Sequence, residues 1–92
     1  MIRNFRHRGL QRLYEQSNVS RLNPDHVRRL RLILTLLDSA TKAADMNFPG
    51  SGLHALRGDL GGFYAVRVSG NWRVIFRLDN ADAYDVDYLD YH

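Results

Sequence analysis

The period of the apolar positions divides the chain into two halves. In the first, Leu10, Leu13 and Tyr14 recur at helical spacing after a short extended start flanked by Ile2 and Phe5, which predicts a helix from about residue 7 to residue 16. Val27, Leu30, Leu34 and Leu37, supplemented by Ile33, form a second helical stripe. Asn23-Pro24-Asp25 ahead of it is a start signal: Asn23 can cap, Pro24 presets the first turn and Asp25 meets the positive end of the dipole. On this reading Arg28, Arg29, Arg31 and Asp38 face water.

Phe48-Pro49-Gly50-Ser51-Gly52 breaks the pattern, and the period then changes to two. Runs at 63–68, 72–78 and 83–89, separated by short polar turns, predict an antiparallel meander. Alternation places Tyr64, Val66, Val68, Trp72, Val74, Phe76, Tyr84, Val86 and Tyr88 under the helices. Arg67, Arg73, Arg77, Asp85 and Asp87 fall on the opposite, uncovered face. The expected class is α+β: two N-terminal helices on one face of a small, mainly antiparallel sheet, in one domain spanning residues 1–92.

Composition narrows the class. With 92 residues, 45% hydrophobic and 25% charged, the chain matches a folded soluble domain, against long disorder, collagen-like repeats or a membrane protein. No apolar run approaches the roughly 20 residues that span a bilayer, and Met-Ile-Arg-Asn-Phe-Arg-His-Arg lacks a signal peptide's apolar stretch. The absence of cysteine removes disulfides, thiolate metal sites and a cysteine nucleophile, and makes the cytoplasm the expected location.

The net charge of +3 conceals an asymmetry: +6 through Arg31, −1 from Leu32 to Leu56, +3 from Arg57 to Arg77 and −5 thereafter. Twelve of the 13 basic residues are arginine, whose planar fork suits phosphate, so nucleic acid stands beside a merely solvated surface as a reading. His54 follows the glycine-rich break, where functional side chains are commonly presented, although a lone histidine is also an ordinary structural residue. Asp90-Tyr91-His92 place three proton-exchanging or hydrogen-bonding groups on the last residues, which act only if that end is ordered.

Arg57 and Arg73 are candidates to bracket an anion, with salt bridges to Asp59 or Asp87 as the alternative. Arg67 and Arg77 join Arg73 on the uncovered face as possible phosphate ligands. Cross-strand ion pairs worth about 0.2–1 kcal/mol each would explain the same charges. No two histidines stand at ligand spacing, so no metal is expected; there is also no phosphate-binding glycine loop and no nucleophile elbow.

Taken together, Met1-Ile2-Arg3-Asn4-Phe5, Leu53-His54-Ala55-Leu56-Arg57-Gly58-Asp59, Val66-Arg67-Val68, Asn71-Trp72-Arg73-Val74 and Asp87-Tyr88-Leu89-Asp90-Tyr91-His92 form a family pattern. In this order and spacing the whole chain resembles the HigB toxins of bacterial toxin–antitoxin modules, within the RelE/ParE superfamily. The resemblance implies a β-α-α-β-β-β fold and a small ribonuclease, needing no cofactor, that cuts messenger RNA in the ribosomal A site. It places the active-site histidine on His54, the strand arginine on Arg73 and the C-terminal acid, tyrosine and histidine on Asp90, Tyr91 and His92. Arg57 stands where several relatives have lysine, which keeps phosphate binding and removes a proton-transfer role.

The implied chemistry is attack by a 2′-hydroxyl on the adjacent phosphorus, with a base, an acid and cations for the phosphoryl oxygens. Asp90 aided by His54 is the first choice for base and His92 for acid; the reverse assignment stays open. Arg73 and Arg57 serve the phosphoryl oxygens, and Tyr91 stacks on a base or orients the phosphate. The implied partners are ribosomal RNA and a HigA-type helix-turn-helix antitoxin, whose complex with the toxin binds operator DNA; a membrane is not among them. A gyrase-binding inhibitor of the same superfold, or an inactive RNA-binding module, are the competing functions. Strict alternation puts Tyr91 on the face of Arg73, with Asp90 and His92 on the other. Either the strand ends near Leu89 and the terminus turns, or the pocket lies at a sheet edge.

Overall fold

A side chain caps the start of the first helix and of the 3-10 turn that leads into the second. In the computed structural model, which describes residues 1–91, α1 (Arg8–Gln16) is capped by His7, whose Nδ1 accepts the Leu10 N–H at 3.2 Å. It ends at Ser17, in the left-handed region at φ 53°. Asn23 acts as its sequence position foretells, its Oδ1 accepting the Asp25 N–H at 2.9 Å. One 3-10 turn, Pro24–His26, then leads into α2 (Val27–Ser39). Leu30, Ile33, Leu34 and Leu37 are all buried, as their spacing requires.

Two residues assigned to the water-facing side of α2 are not there. Arg29 reaches over to the sheet, and Asp38 accepts hydrogen bonds from the Tyr14 hydroxyl at 2.5 Å and the Ile2 N–H at 3.0 Å. A helical wheel fixes the direction of a side chain but not what long neighbours bring to it. Among the described residues, no helix is long and apolar enough to cross a membrane.

The sheet has four antiparallel strands in the order β1 (His54–Ala55), β2 (Tyr64–Ser69), β3 (Trp72–Asp79) and β4 (Asp82–Asp90). The extended start is not a full strand. It straps the outer edge of β4 through parallel bridges, Ile2 to Ala83 and Phe5 to Val86. The order is therefore α-α-β-β-β-β, with a short extra strand at His54 in place of the expected first one.

On the helix side, Val66, Val68, Val74, Phe76, Val86 and Tyr88 are buried in one core with the two helices. Tyr84 is not among them. The pairing shifts between Ile75–Asp87 and Arg77–Tyr84, with Asp85 at φ 54°, which is a β-bulge. The extra residue turns Tyr84 to the far face opposite Arg77 and puts Ala83 into the core instead. Asn4 satisfies the bulge: its Oδ1 accepts the Asp85 N–H at 2.7 Å and its Nδ2 donates to Asp85 Oδ1 at 3.0 Å.

The face expected to be uncovered is half covered. Leu56, Phe63, Ala65 and Ile75 are buried there with Leu60 and Leu89 packed against them, because the segment after β1 folds over the sheet centre. Arg67 and Arg73 lie at one end of the covered patch, and Arg77 and Asp85 at the other.

The Tyr14–Asp38 contact makes a test of the packing of α1 on α2. That hydrogen bond is the main cause pushing the Tyr14 hydroxyl up to about 12, and it holds Asp38 below the usual carboxylate range with help from the Ile2 N–H. A raised tyrosine contributes stability that is whole below its ordinary 10 and is lost as pH rises towards about 12. A lowered carboxylate contributes stability that is whole above its ordinary 3.8 and is lost as pH falls further. Tyr14→Phe is expected to cost about 1 kcal/mol at neutral pH, modest because the pair is half-exposed, and to flatten stability at both extremes. Urea unfolding at pH 3, 7 and 11 checks this; an unaltered pH profile contradicts it.

Candidate active site

The segment 48–53 has to turn sharply to bring the chain from the helices to the sheet edge, and Gly50 at φ 82° and Gly52 at φ 56° supply conformations that side chains disfavour. Ser51 between them is fully buried. Its carbonyl accepts the Arg67 N–H at 2.7 Å, and its hydroxyl accepts the Leu53 N–H at 3.4 Å. Arg29 clamps the loop from α2: Nη2 donates to the Gly50 carbonyl at 2.9 Å, Nε to the Arg67 carbonyl at 3.3 Å, and the guanidinium lies 5.0 Å from the Phe48 ring centroid.

The pinned loop delivers His54 into β1, directly opposite Ala65 and exposed on the face away from the helices. Its Nδ1 lies 3.0 Å from the Gly52 carbonyl. A carbonyl only accepts, so Nδ1 carries the proton and the neutral ring presents its Nε2 lone pair outward from that bond. That tautomer can take a proton.

One diagonal step away, at roughly 7–8 Å between Cα atoms, stands Arg67, and Arg67 is directly opposite Arg73. Two like charges facing each other across a strand pair are destabilising unless an anion lies between them. Arg73 Nη1 donates to the carbonyls of Gly70 at 2.6 Å and Trp72 at 3.0 Å, which orients the group without cancelling its charge. The Arg67 guanidinium sits 3.9 Å from where a Cβ on Gly52 would stand, so it and the His54 ring flank the same glycine. No three His, Asp or Glu side chains that could hold a metal ion converge among the described residues.

The remaining candidates lie around this group. The Tyr91 N–H donates to the Asn71 carbonyl at 2.8 Å, tying the chain's end to the β2–β3 turn, and its side chain is exposed. Asp90 is exposed opposite Trp72. β4 runs on through Asp90, so it does not stop near Leu89: Asp90 lies on the helix side and alternation returns Tyr91 to the arginine side. His92 lies outside the described residues.

Arg57 is exposed beyond β1, flanking His54 on the side away from Arg73, so these two do not bracket one anion close at hand. Arg77 is occupied at the other end of the sheet, its Nε donating to Asp85 Oδ2 at 2.9 Å and its guanidinium 5.8 Å from the Tyr84 ring. The residues that sequence reasoning missed are Arg29 and Ser51. The one available signal was the mixed loop composition, which marks a break but not what binds it.

The chain has relatives among known proteins. The family of RelE-like toxins of the type II toxin–antitoxin system HigB matches residues 3–92. The chain is 38% identical over 92 residues to the endoribonuclease HigB of Proteus vulgaris, covering all of both chains. It is 32% identical over 94 residues to the toxin HigB-1 of Vibrio cholerae serotype O1, covering all of this chain and 98% of that one. The chain belongs to the HigB-like toxins of type II toxin–antitoxin systems, a family whose members pair with an antitoxin.

Proposed function

We propose that this toxin is a metal-independent endoribonuclease that cuts messenger RNA in the ribosomal A site. The observation that carries the reading is the opposed Arg67–Arg73 pair beside a histidine whose Nε2 is left as an acceptor. The name of the Proteus vulgaris relative, an endoribonuclease, supports it. A scissile phosphate between the arginines relieves their mutual repulsion, and the relief grows as charge gathers on the phosphoryl oxygens. His54 Nε2 takes the 2′-hydroxyl proton, the 2′-oxygen bonds to phosphorus, and the bond to the 5′-oxygen breaks. The products are a 2′,3′-cyclic phosphate and a 5′-hydroxyl, the latter protonated from the C-terminal group of Asp90, Tyr91 and His92. Tyr91 offers its ring to a neighbouring base. The antitoxin is of the HigA helix-turn-helix type, and the toxin works in the cytoplasm.

Cleavage of a reporter message by purified toxin, with and without translating ribosomes, tests the reading. Cutting is expected only on ribosomes, and toxin treated with a chelator that is removed before the assay should cut at the same rate as untreated toxin. His54→Ala should lower the rate by about 10²–10⁴-fold and Arg73→Ala by about 10²–10³-fold. Intact messages, with DNA damage signalled in cells, would assign the toxin to gyrase inhibition.

Arg29 reaches the reaction only through the loop that it holds. Arg29→Ala should lower kcat by about 10–10²-fold with KM little changed, and should speed amide exchange at Arg67. Wild-type kcat in that variant would show that the clamp does not position His54.

A further inference from the structure

The outer edge of β4 is strapped only as far as Val86, whose carbonyl accepts the N–H groups of Arg6 at 2.8 Å and His7 at 3.4 Å. There the chain turns into α1, and beyond it opens a cleft of about 550 Å³ lined by Arg6, His7, Arg8, Gly9, Arg21 and Asp87. Arg8 and Arg21 share it with one carboxylate, which already accepts the Tyr88 N–H at 2.9 Å, and Arg6 borders it with its guanidinium 4.9 Å from the Phe63 ring centroid. Arg8 and Arg21 are exposed and enter no ion pair among the described residues.

The cleft is held in shape. A Cβ on Gly9 would stand 2.8 Å from His7 Cε1 and 3.1 Å from Arg21 Cβ, so Arg21 comes beside the first turn of α1 only because residue 9 has no side chain. The His7 ring is fixed from both sides. Its Nδ1 accepts the Leu10 N–H, and its face meets Tyr88 edge-on with centroids 5.3 Å apart. In the neutral ring the proton is therefore on Nε2, a donor rather than an acceptor. Burial pushes the His7 pKa down, which keeps that neutral form at pH 7.

Donors and positive charge with a single carboxylate suit an anion carrying several oxygens. No apolar side chain lines the cleft, so a peptide partner would find no hydrophobic pocket for an anchoring residue. A nucleic acid backbone needs only charge and donors. Asp87 is three residues from Asp90 along β4, about 10 Å, which puts the cleft beside the end of the sheet where the RNA is cut.

We propose that this cleft is a second RNA-backbone site, in which Arg8 and Arg21, with Arg6, hold a phosphate away from the one that is cleaved; this rests on the ribonuclease reading. The test is the double variant Arg8→Ala/Arg21→Ala, whose two positions are exposed, so folding should survive. Binding is measured for a 2′-O-methyl RNA decamer, which cannot be cut, and for vacant ribosomes, each over a salt series.

A loss of about tenfold on the decamer, with the salt slope reduced by about 1, places a phosphate of the message in the cleft. The same loss confined to vacant ribosomes places ribosomal RNA there; both outcomes support the site. Unchanged binding in both arms overturns it. If the wild type binds RNA and the variant does not, yet neither cuts messages on ribosomes, the ribonuclease reading fails and the cleft stands.

Discussion

Arg67 lies where the sheet edge stops being a sheet. β1 has two residues, so the outer N–H and C=O groups of β2 near Arg67 have no partner strand, and backbone groups packed under a loop cannot be left without partners. A buried serine carbonyl and the Arg29 side chain take them up. Those two contacts replace a ladder, and they decide where the glycine-rich loop rests. Once the loop rests there, His54 has one place to go, and the glycine behind it accepts its Nδ1–H. The position and the tautomer of the imidazole therefore follow from the same need to satisfy the edge of β2.

The uneven charge along the chain is resolved in the same economy of contacts. The acidic C-terminal stretch folds back along the basic start: Asp82 pairs with the Met1 amino group at 3.2 Å and Arg3 at 3.0 Å, and Asp85 pairs with Arg77. The hydrogen bonds from Arg3 and Arg77 are the leading cause that holds Asp82 and Asp85, respectively, below the usual carboxylate range. What this pairing leaves at the opposite end of the sheet is the Arg67–Arg73 couple, whose nearest β4 neighbour is Leu89. Asp82 and Asp85 are thus drawn away from the end of the sheet where the two arginines face each other.

The helices and the meander were legible because their signals are local: a capping Asn-Pro-Asp, an apolar stripe, alternation between polar turns. Alternation failed at Tyr84 because one bulged residue reverses it, and the side chain that satisfies the bulge, Asn4, is 81 positions away in sequence. Ile75 lies between Val74 and Phe76 of the core face, so its burial on the other face depends on the segment from Leu56 to Phe63 folding over it. Of the site, His54 and Arg73 stood out in the sequence and took their roles from the resemblance, whereas the grouping of His54 with Arg67 is set by a two-residue strand too short to carry a period. Arg29 was read as solvated because its partners are carbonyls, which no residue type announces.

Displacement at phosphorus constrains a site in one further way: the attacking and leaving oxygens stand roughly in line on opposite sides of the phosphorus. A flat sheet face can present groups to one side of a phosphate only. At the end of a sheet, adjacent residues of one strand point to opposite faces, and here Asp90 goes to the helix side while Tyr91 returns to the arginine side. On the proposed reading, a phosphate seated on Arg67 and Arg73 at that end meets His54 from the face and Asp90 from around the edge. Alternation that separates Asp90 from Arg73 is then no obstacle to their acting on one linkage; it is what puts proton-transfer groups on either side of it.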